Sequence, residues 1–218
     1  MNLEPFVAAH LPAAPARVLE IGCGSGALAH AMARLGHDVL AIDPSAPEGD
    51  LFRRVTLEEL ADPGPFDAVV ASRSLHHIHD LPAALDKIAA LLTPDGRLLL
   101  HEHAWDRIDE PTQRWYREQG GSGDWRAEHE QFHGYEAIHT ELARRFSERH
   151  LEWTPYLHGA LHIEPDVERR AIEAGEIRAT GFLYVGECRS RTSTAAGREA
   201  VRTAAATPKQ EPSCPDLE

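Results

Sequence analysis

Three alternate glycines, Gly22, Gly24 and Gly26, close a short apolar run that holds one acid, Glu20. Glycine takes positive φ freely and lets the backbone come within contact distance of a ligand. A helix that starts behind such a turn aims unpaired N–H groups at that ligand. The acid two residues before the first glycine selects among ligands. A diphosphate opposite it would meet like charge, whereas a cation would be attracted. Histidine is the second chemical signal. Of the 14 in the chain, several crowd residues 72–79 (SRSLHHIH) and 101–106 (HEHAWD). Neutral imidazole suits general-base work near neutral pH, which makes His103 and His77 the candidates for a catalytic base. The plain alternative is that each ring satisfies a backbone group or faces water. Only one of His76 and His77 is expected to point into a site. In an extended segment, Glu102 points away from His101 and His103.

A metal is the second use such histidines could have. His101 and His103 with His129 or His133 could gather three imidazoles, and His158 and His162 have helical spacing. There is no H-E-x-x-H motif and no acid cluster, so no metal site is expected.

These residues need elements to hold them. Residues 3–10 can form a leading helix, ended by Pro12 and Pro15. Arg17–Ile21 reads as a buried strand, followed by a helix from about Gly26 to Leu35 with Gly36 as its C-cap. Asp38–Ile42 is a second strand ending at Asp43 and Pro44. Leu51–Val55 is a short third strand, with one helical turn from Thr56 and a loop at 62–65. Phe66–Ser72 is a fourth strand and Leu81–Leu92 a helix. Residues 93–96 (TPDG) form a turn, and a fifth strand runs from Arg97 to His101 or His103. Strands alternating with helices predict a parallel α/β sheet covered on both faces, and right-handed crossovers make it doubly wound. Residues 104–133 hold Trp105, Trp115, Tyr116 and Trp125 around a glycine-rich link and read as a helical lid. A helix over 135–146, a strand over 147–156, a helix over 164–174 and a last strand over 180–188 complete the domain. From 190 onward apolar anchors vanish, and residues 190–218 are expected to be a disordered tail to a domain spanning 1–189.

The stretch from Glu20 to Gly26 (EIGCGSG) resembles the first motif of class I S-adenosylmethionine (SAM) dependent methyltransferases. Residues 66–78 (FDAVVASRSLHHI) are similar to the fourth-strand motif of the small-molecule, quinone-biosynthesis-like subgroup. Residues 85–97 resemble the segment leading into its fifth strand. The resemblance implies a Rossmann-like fold with a mostly parallel seven-stranded sheet and a helical lid inserted after strand five. It implies SAM as cofactor, with S-adenosylhomocysteine as product. The residues that would hold it are Glu20, Gly22, Cys23, Gly24, Gly26, Asp43, Pro44, Leu57, Ser72, Arg73 and His77, with Asp43 on the ribose hydroxyls. The methyl group would go to an O- or N-nucleophile of a small molecule, aromatic or of secondary-metabolite type. Trp105, Trp115, Tyr116, His129 and His133 would line its pocket with Trp125, and Tyr156, His158 and His162 would reach it. One departure stands out: 22 residues separate Asp43 from Phe66. A helix usual there must be missing or one turn long, leaving Leu57 and Glu58 as adenine neighbours and a more open adenine side. Gly22, Gly24 and Ala27 also fit a dinucleotide-binding turn, so a nicotinamide-dependent oxidoreductase is an alternative that Glu20 disfavours. A SAM-binding protein with other chemistry is a further one.

Bulk properties agree with this reading. A chain of 218 residues with 42% hydrophobic and 26% charged residues makes one domain with extensions. A net charge of −13 repels a phosphate backbone and an anionic membrane surface, so neither nucleic acid nor membrane is expected as partner. No apolar run approaches the ~20 residues of a membrane span. The N-terminus lacks a leader pattern, and three cysteines in no metal-like spacing fit a reduced, cytoplasmic setting. The oligomeric state is not written in the sequence.

Overall fold

The structure is a computed structural model that describes residues 3–61 and 64–189. The expected tail, 190–218, lies outside the described residues. Seven strands form one sheet: β1 (Arg17–Ile21), β2 (Asp38–Ile42), β3 (Phe52–Arg53), β4 (Phe66–Ser72), β5 (Leu92–His103), β6 (Phe146–Thr154) and β7 (Gly181–Cys188). Their order is β3-β2-β1-β4-β5-β7-β6. The first five pair in parallel, and β7 runs antiparallel between β5 and β6. This is the doubly wound, mostly parallel sheet that the alternation of strands and helices predicts.

The helices are α1 (Glu4–His10), α2 (Ala27–Arg34), α3 (Leu81–Leu91), α4 (Glu110–Glu118), α5 (Trp125–His129), α6 (Tyr135–Arg145), α7 (Leu157–Leu161) and α8 (Pro165–Glu173). Strand alternation sorts the core into two layers. Leu19, Ile21, Val69, Ala71, Leu98 and Leu100 face α3 and α6 through Leu85, Ile88, Ile138 and Leu142. Val18, Ala68, Val70 and Leu99 face α1 and α2 through Val7, Ala29 and Met32. Glu20 shares the parity of Val18, and His101 and His103 share that of Leu99. The sheet therefore turns these three toward the α1 side and Glu102 toward the other. A third cluster of Ile108, Trp115, Tyr116, Trp125, Leu157, Ala171 and Ile177 is the core of the cap formed by α4, α5, α7 and α8.

Two expectations are corrected. Residues 93–96 belong to β5. Phe66 pairs with Leu92 and Ala68 with Arg97, so the four residues bulge out of the ladder while pairing holds on either side. The third strand is only two residues long, because Phe52 alone turns inward there while Arg53 is exposed.

Phe52 closes the outside of the glycine turn. Gly26 has φ +81°, and a Cβ on it would stand 2.5 Å from the Phe52 ring. Gly26→Ala is therefore expected to destabilise the fold by about 1–3 kcal/mol, from left-handed strain and a clash with a buried ring. Thermal melting of the variant beside the parent measures this, and an unchanged midpoint would show that the turn is not held as described.

Candidate functional site

The carboxyl ends of β1 and β2 meet at the glycine turn. The N–H groups of Gly22 and Cys23 donate to the Ile42 carbonyl at 2.9 and 3.1 Å, fixing the turn against β2. Asp43 completes it. One carboxylate oxygen accepts from Gly24 N–H at 3.0 Å, the other from the Ser45 N–H at 2.8 Å and hydroxyl at 2.6 Å. Burial pulls the Asp43 carboxyl up, but the hydrogen bonds from Ser45 and Gly24 hold it below its ordinary value. Gly24 has φ +50° and nothing within 4 Å of where a Cβ would lie, so open space adjoins its backbone.

Glu20 is the opposite case. It is 3% exposed, its Oε2 has no hydrogen-bond partner, and burial pushes the carboxyl up to about 8. It faces a cavity of about 300 Å³ lined also by Gly22, Cys23, Gly24, Ser72 and Arg73. A second cavity of about 360 Å³ is lined by Gly22, Asp43, Pro44, Leu57, Glu58 and His77, with Arg73 again at its edge. Ten of the eleven residues expected around a cofactor thus fall on these two cavities. Gly26 lines neither and serves the turn itself. Burial pushes the Cys23 thiol up to about 11, which leaves it a small neutral side chain. Ser74, Ile78 and His79 also line the second cavity and were not expected there, because the 3₁₀ turn Leu75–His77 that follows β4 carries no spacing signal in the sequence.

Ser72 and Arg73 also border a third cavity, of about 520 Å³. Six histidines line it: His76, His77, His101, His103, His129 and His158. Trp125, Phe132 and Tyr156 add aromatic surface, and no acidic side chain lies on its wall among the described residues. Hydrogen-bond partners fix several ring tautomers. The Trp125 indole N–H donates to His103 Nε2 at 3.0 Å, so His103 is neutral and carries its proton on Nδ1. Burial, then His129 and His76, lowers His103 to about 3. His129 Nδ1–H donates to the Trp125 carbonyl at 2.7 Å. His101 is lowered to about 4 by burial, and its Nε2 is buried without a partner. Tyr156 stacks on His103 at 4.4 Å, and burial pushes its phenol up to about 12.

This geometry corrects the expected roles. His103 is placed in the cavity, but its Nε2 lone pair is occupied and its ring resists protonation, so it is a hydrogen-bond donor and not a base. His77 lines both the second and third cavities and is lowered by burial and by His76. Both members of the His76–His77 pair reach the third cavity, because the 3₁₀ turn places them side by side, 4.0 Å between centroids. Of the expected lid residues only His129, with Trp125, lines the cavity. Trp115 and Tyr116 are buried in the cap core. Trp105 packs against that core and donates its indole N–H to the Phe132 carbonyl. His133 Nε2–H donates to the Ile78 carbonyl at 2.8 Å and ties the lid to the end of β4. His162 lies outside the cavity, in the left-handed residue that ends α7. Among the described residues no group of three or more His, Cys, Asp or Glu side chains is arranged to hold a metal.

The Glu20 carboxyl gives a pH-dependent prediction. Its folded value, about 8, lies above its ordinary 4.5. The stability this acid contributes is present below pH ~4.5 and is lost as pH rises through 8. Glu20→Gln removes the loss. The variant should match the parent at pH 5 and exceed it by on the order of 3 kcal/mol above pH 8. Urea unfolding at the two pH values measures the gap, and a gap that does not widen with pH would contradict a buried carboxyl with one oxygen left unpartnered.

Three comparisons bear on what this site belongs to. A ubiquinone biosynthesis O-methyltransferase of Xanthomonas campestris is 40% identical over 111 residues, 44% of this chain and 46% of that protein. The matched part thus spans less than half of such relatives. A SAM-dependent methyltransferase of Mesorhizobium loti superposes with a TM-score of 0.59 at 17% identity, covering 85% of this chain and 96% of that one. The 1,6-didemethyltoxoflavin-N1-methyltransferase of Burkholderia thailandensis, solved with bound 1,6-didemethyltoxoflavin and S-adenosylhomocysteine, superposes at 0.56 and 20% identity, covering 85% and 76%. Residues 3–154 match the family model described as a methyltransferase domain, and the chain belongs to that family.

Proposed function

We propose that this protein is a SAM-dependent methyltransferase whose acceptor is a small molecule. The observation that carries the proposal is Glu20, a buried carboxyl with an unpartnered oxygen at the glycine turn, which a cation would draw into its ionised form. SAM carries a sulfonium and an ammonium group, and a cation beside Glu20 meets the need of that orphan oxygen. Asp43, at the end of β2, would accept from the ribose hydroxyls. Leu57, Ile78 and Pro44 offer apolar contact for an adenine ring in the second cavity. When bound, the cofactor supplies an activated methyl group that a nucleophile displaces from sulfur. The protein's part is to hold the acceptor in line with that carbon and to exclude water, which can supply ~7–11 kcal/mol of the barrier.

The acceptor belongs in the 520 Å³ cavity, which joins the cofactor side at Ser72 and Arg73. Its size suits a ligand of one or two rings. The relatives support a small-molecule acceptor, since one is named for ubiquinone biosynthesis and another was solved with bound 1,6-didemethyltoxoflavin.

Calorimetric titration of SAM and S-adenosylhomocysteine tests the reading. Wild-type protein should bind both at micromolar Kd. Asp43→Asn should weaken both by about tenfold or more, the loss of a charge-assisted hydrogen bond to a hydroxyl. Absence of binding to wild-type protein would overturn the proposal.

A further inference from the structure

Only one imidazole of the third cavity is both oriented by a carboxylate and next to the cofactor side. Glu102 is fully buried. Its Oε1 accepts from the N–H groups of Ser74 and Leu75 at 2.8 and 2.6 Å, and its Oε2 lies 2.6 Å from His76 Nδ1. A carboxylate that already serves two N–H donors takes a third from His76, so the ring carries its proton on Nδ1 and presents the Nε2 lone pair. His76 itself is 8% exposed, at the cavity wall.

The other rings do not combine these features. His103 Nε2 is taken by Trp125. His129 is held by a carbonyl and stacks on Trp125 at 4.3 Å. His158 has a matching carboxylate in Glu168, at 2.8 Å, but it stands on α7, which contributes nothing to the cofactor-side cavities. The turn carrying His76, in contrast, runs from Ser72 and Arg73 on the first to His77 on the second.

We infer that His76, oriented by Glu102, takes the proton from a hydroxyl of the methyl acceptor, so that this cavity serves O-methylation of an ionisable hydroxyl. The inference rests on the methyltransferase reading above. The O–H proton passes to His76 Nε2, and the oxygen keeps its electron pair and bonds the methyl carbon. The carbon–sulfur bond breaks, its pair stays on sulfur, and the imidazolium later releases the proton to water. Glu102 balances the imidazolium charge meanwhile. Glu102 from β5 holds the His76 ring, His77 stands beside it on the same turn, and Phe132 packs edge-on against both rings with His129 beyond it. None of these rings brings a carboxylate of its own into the cavity. The Nδ1–H of His103 and the guanidinium of Arg73 are donors for a carbonyl or carboxylate on the same acceptor, which fits a wall free of acids.

The test uses 4-nitrocatechol, whose ionisation is visible as a colour change, with full-length protein saturated with S-adenosylhomocysteine. Wild-type protein should bind it and move its ionisation down by about one pH unit, a tenfold stabilisation of the anion. His76→Asn keeps an N–H for Glu102 but has no base, and should bind the probe without the shift. His76→Gln is the second variant, read in the same way if the first melts early. With SAM in place, methyl transfer to the probe should fall about 100-fold in either variant, with SAM affinity kept. Wild-type protein that ignores the probe, or variants that shift it as the parent does, would overturn the inference. Failure to bind S-adenosylhomocysteine at all, measured first by calorimetry, marks failure of the methyltransferase reading instead.

Discussion

Much of the site hangs on the Glu102 carboxylate. Burying a charge costs several kcal/mol unless it is paired and hydrogen-bonded, and Glu102 is met by two backbone N–H groups and the His76 ring. Those partners pin the turn that follows β4. Once pinned, the turn presses Ser74 onto the first strand, where its hydroxyl donates to the Ile21 carbonyl at 3.2 Å. Gly22 must then be glycine, since a Cβ there would stand 2.7 Å from Ser74 Cβ. The lid is tied to the same turn, through His133 N–H to the His76 carbonyl at 3.2 Å and the His133 ring to Ile78. One buried acid thereby sets the relative positions of the glycine turn, the end of β4 and the lid.

Among the described residues three glutamates are buried, and their partners set Glu20 apart from the other two. Glu168 repeats the Glu102 device: it accepts from the N–H groups of Tyr156, Leu157 and His158 and holds the His158 ring. It fixes the segment that brings Tyr156 and His158 to the cavity. Glu20 has an oxygen without any partner. A satisfied buried acid stabilises the fold, whereas an unsatisfied one is a cost that the fold carries. Such a cost is what a cation at the glycine turn would relieve, which is why the proposed cofactor site rests on Glu20.

The sequence made the sheet legible because its signals are local. Alternating strands and helices, the glycine spacing and Asp43 at a strand end each depend on a few adjacent residues. The long connections were harder. Trp115 and Tyr116 read as pocket aromatics, but α4 turns them into the cap core against Ile108 and Leu157. That choice depends on how α4, α7 and α8 pack, which is a nonlocal matter. The histidines were harder still. His103 looked like a base from its position on β5. Only the arrival of the Trp125 indole, 22 residues away in sequence, shows that its lone pair is spent. His76 was undervalued for the converse reason: its carboxylate comes from the neighbouring strand, and no spacing rule connects residues 76 and 102.

The short β2–β3 connection changes what the remaining residues must do. With no helix described there, the second cavity takes its walls from Val55, Thr56, Leu57 and Glu58 on one side and from Arg73, Ser74, His77, Ile78 and His79 on the other. Arg73 borders all three cavities, and it does so from a left-handed backbone, φ +53°. For a residue other than glycine this conformation costs on the order of 1 kcal/mol. The Arg73 N–H bond to the His101 carbonyl at 2.8 Å and the grip of Glu102 on the next two residues overcome that cost. On the proposed reading, a strained arginine held by its neighbours at the junction of the cavities would touch both cofactor and acceptor. The rigidity comes from β5 rather than from β2 or β3. An open adenine side can thus coexist with a fixed line between the glycine turn and the histidine wall.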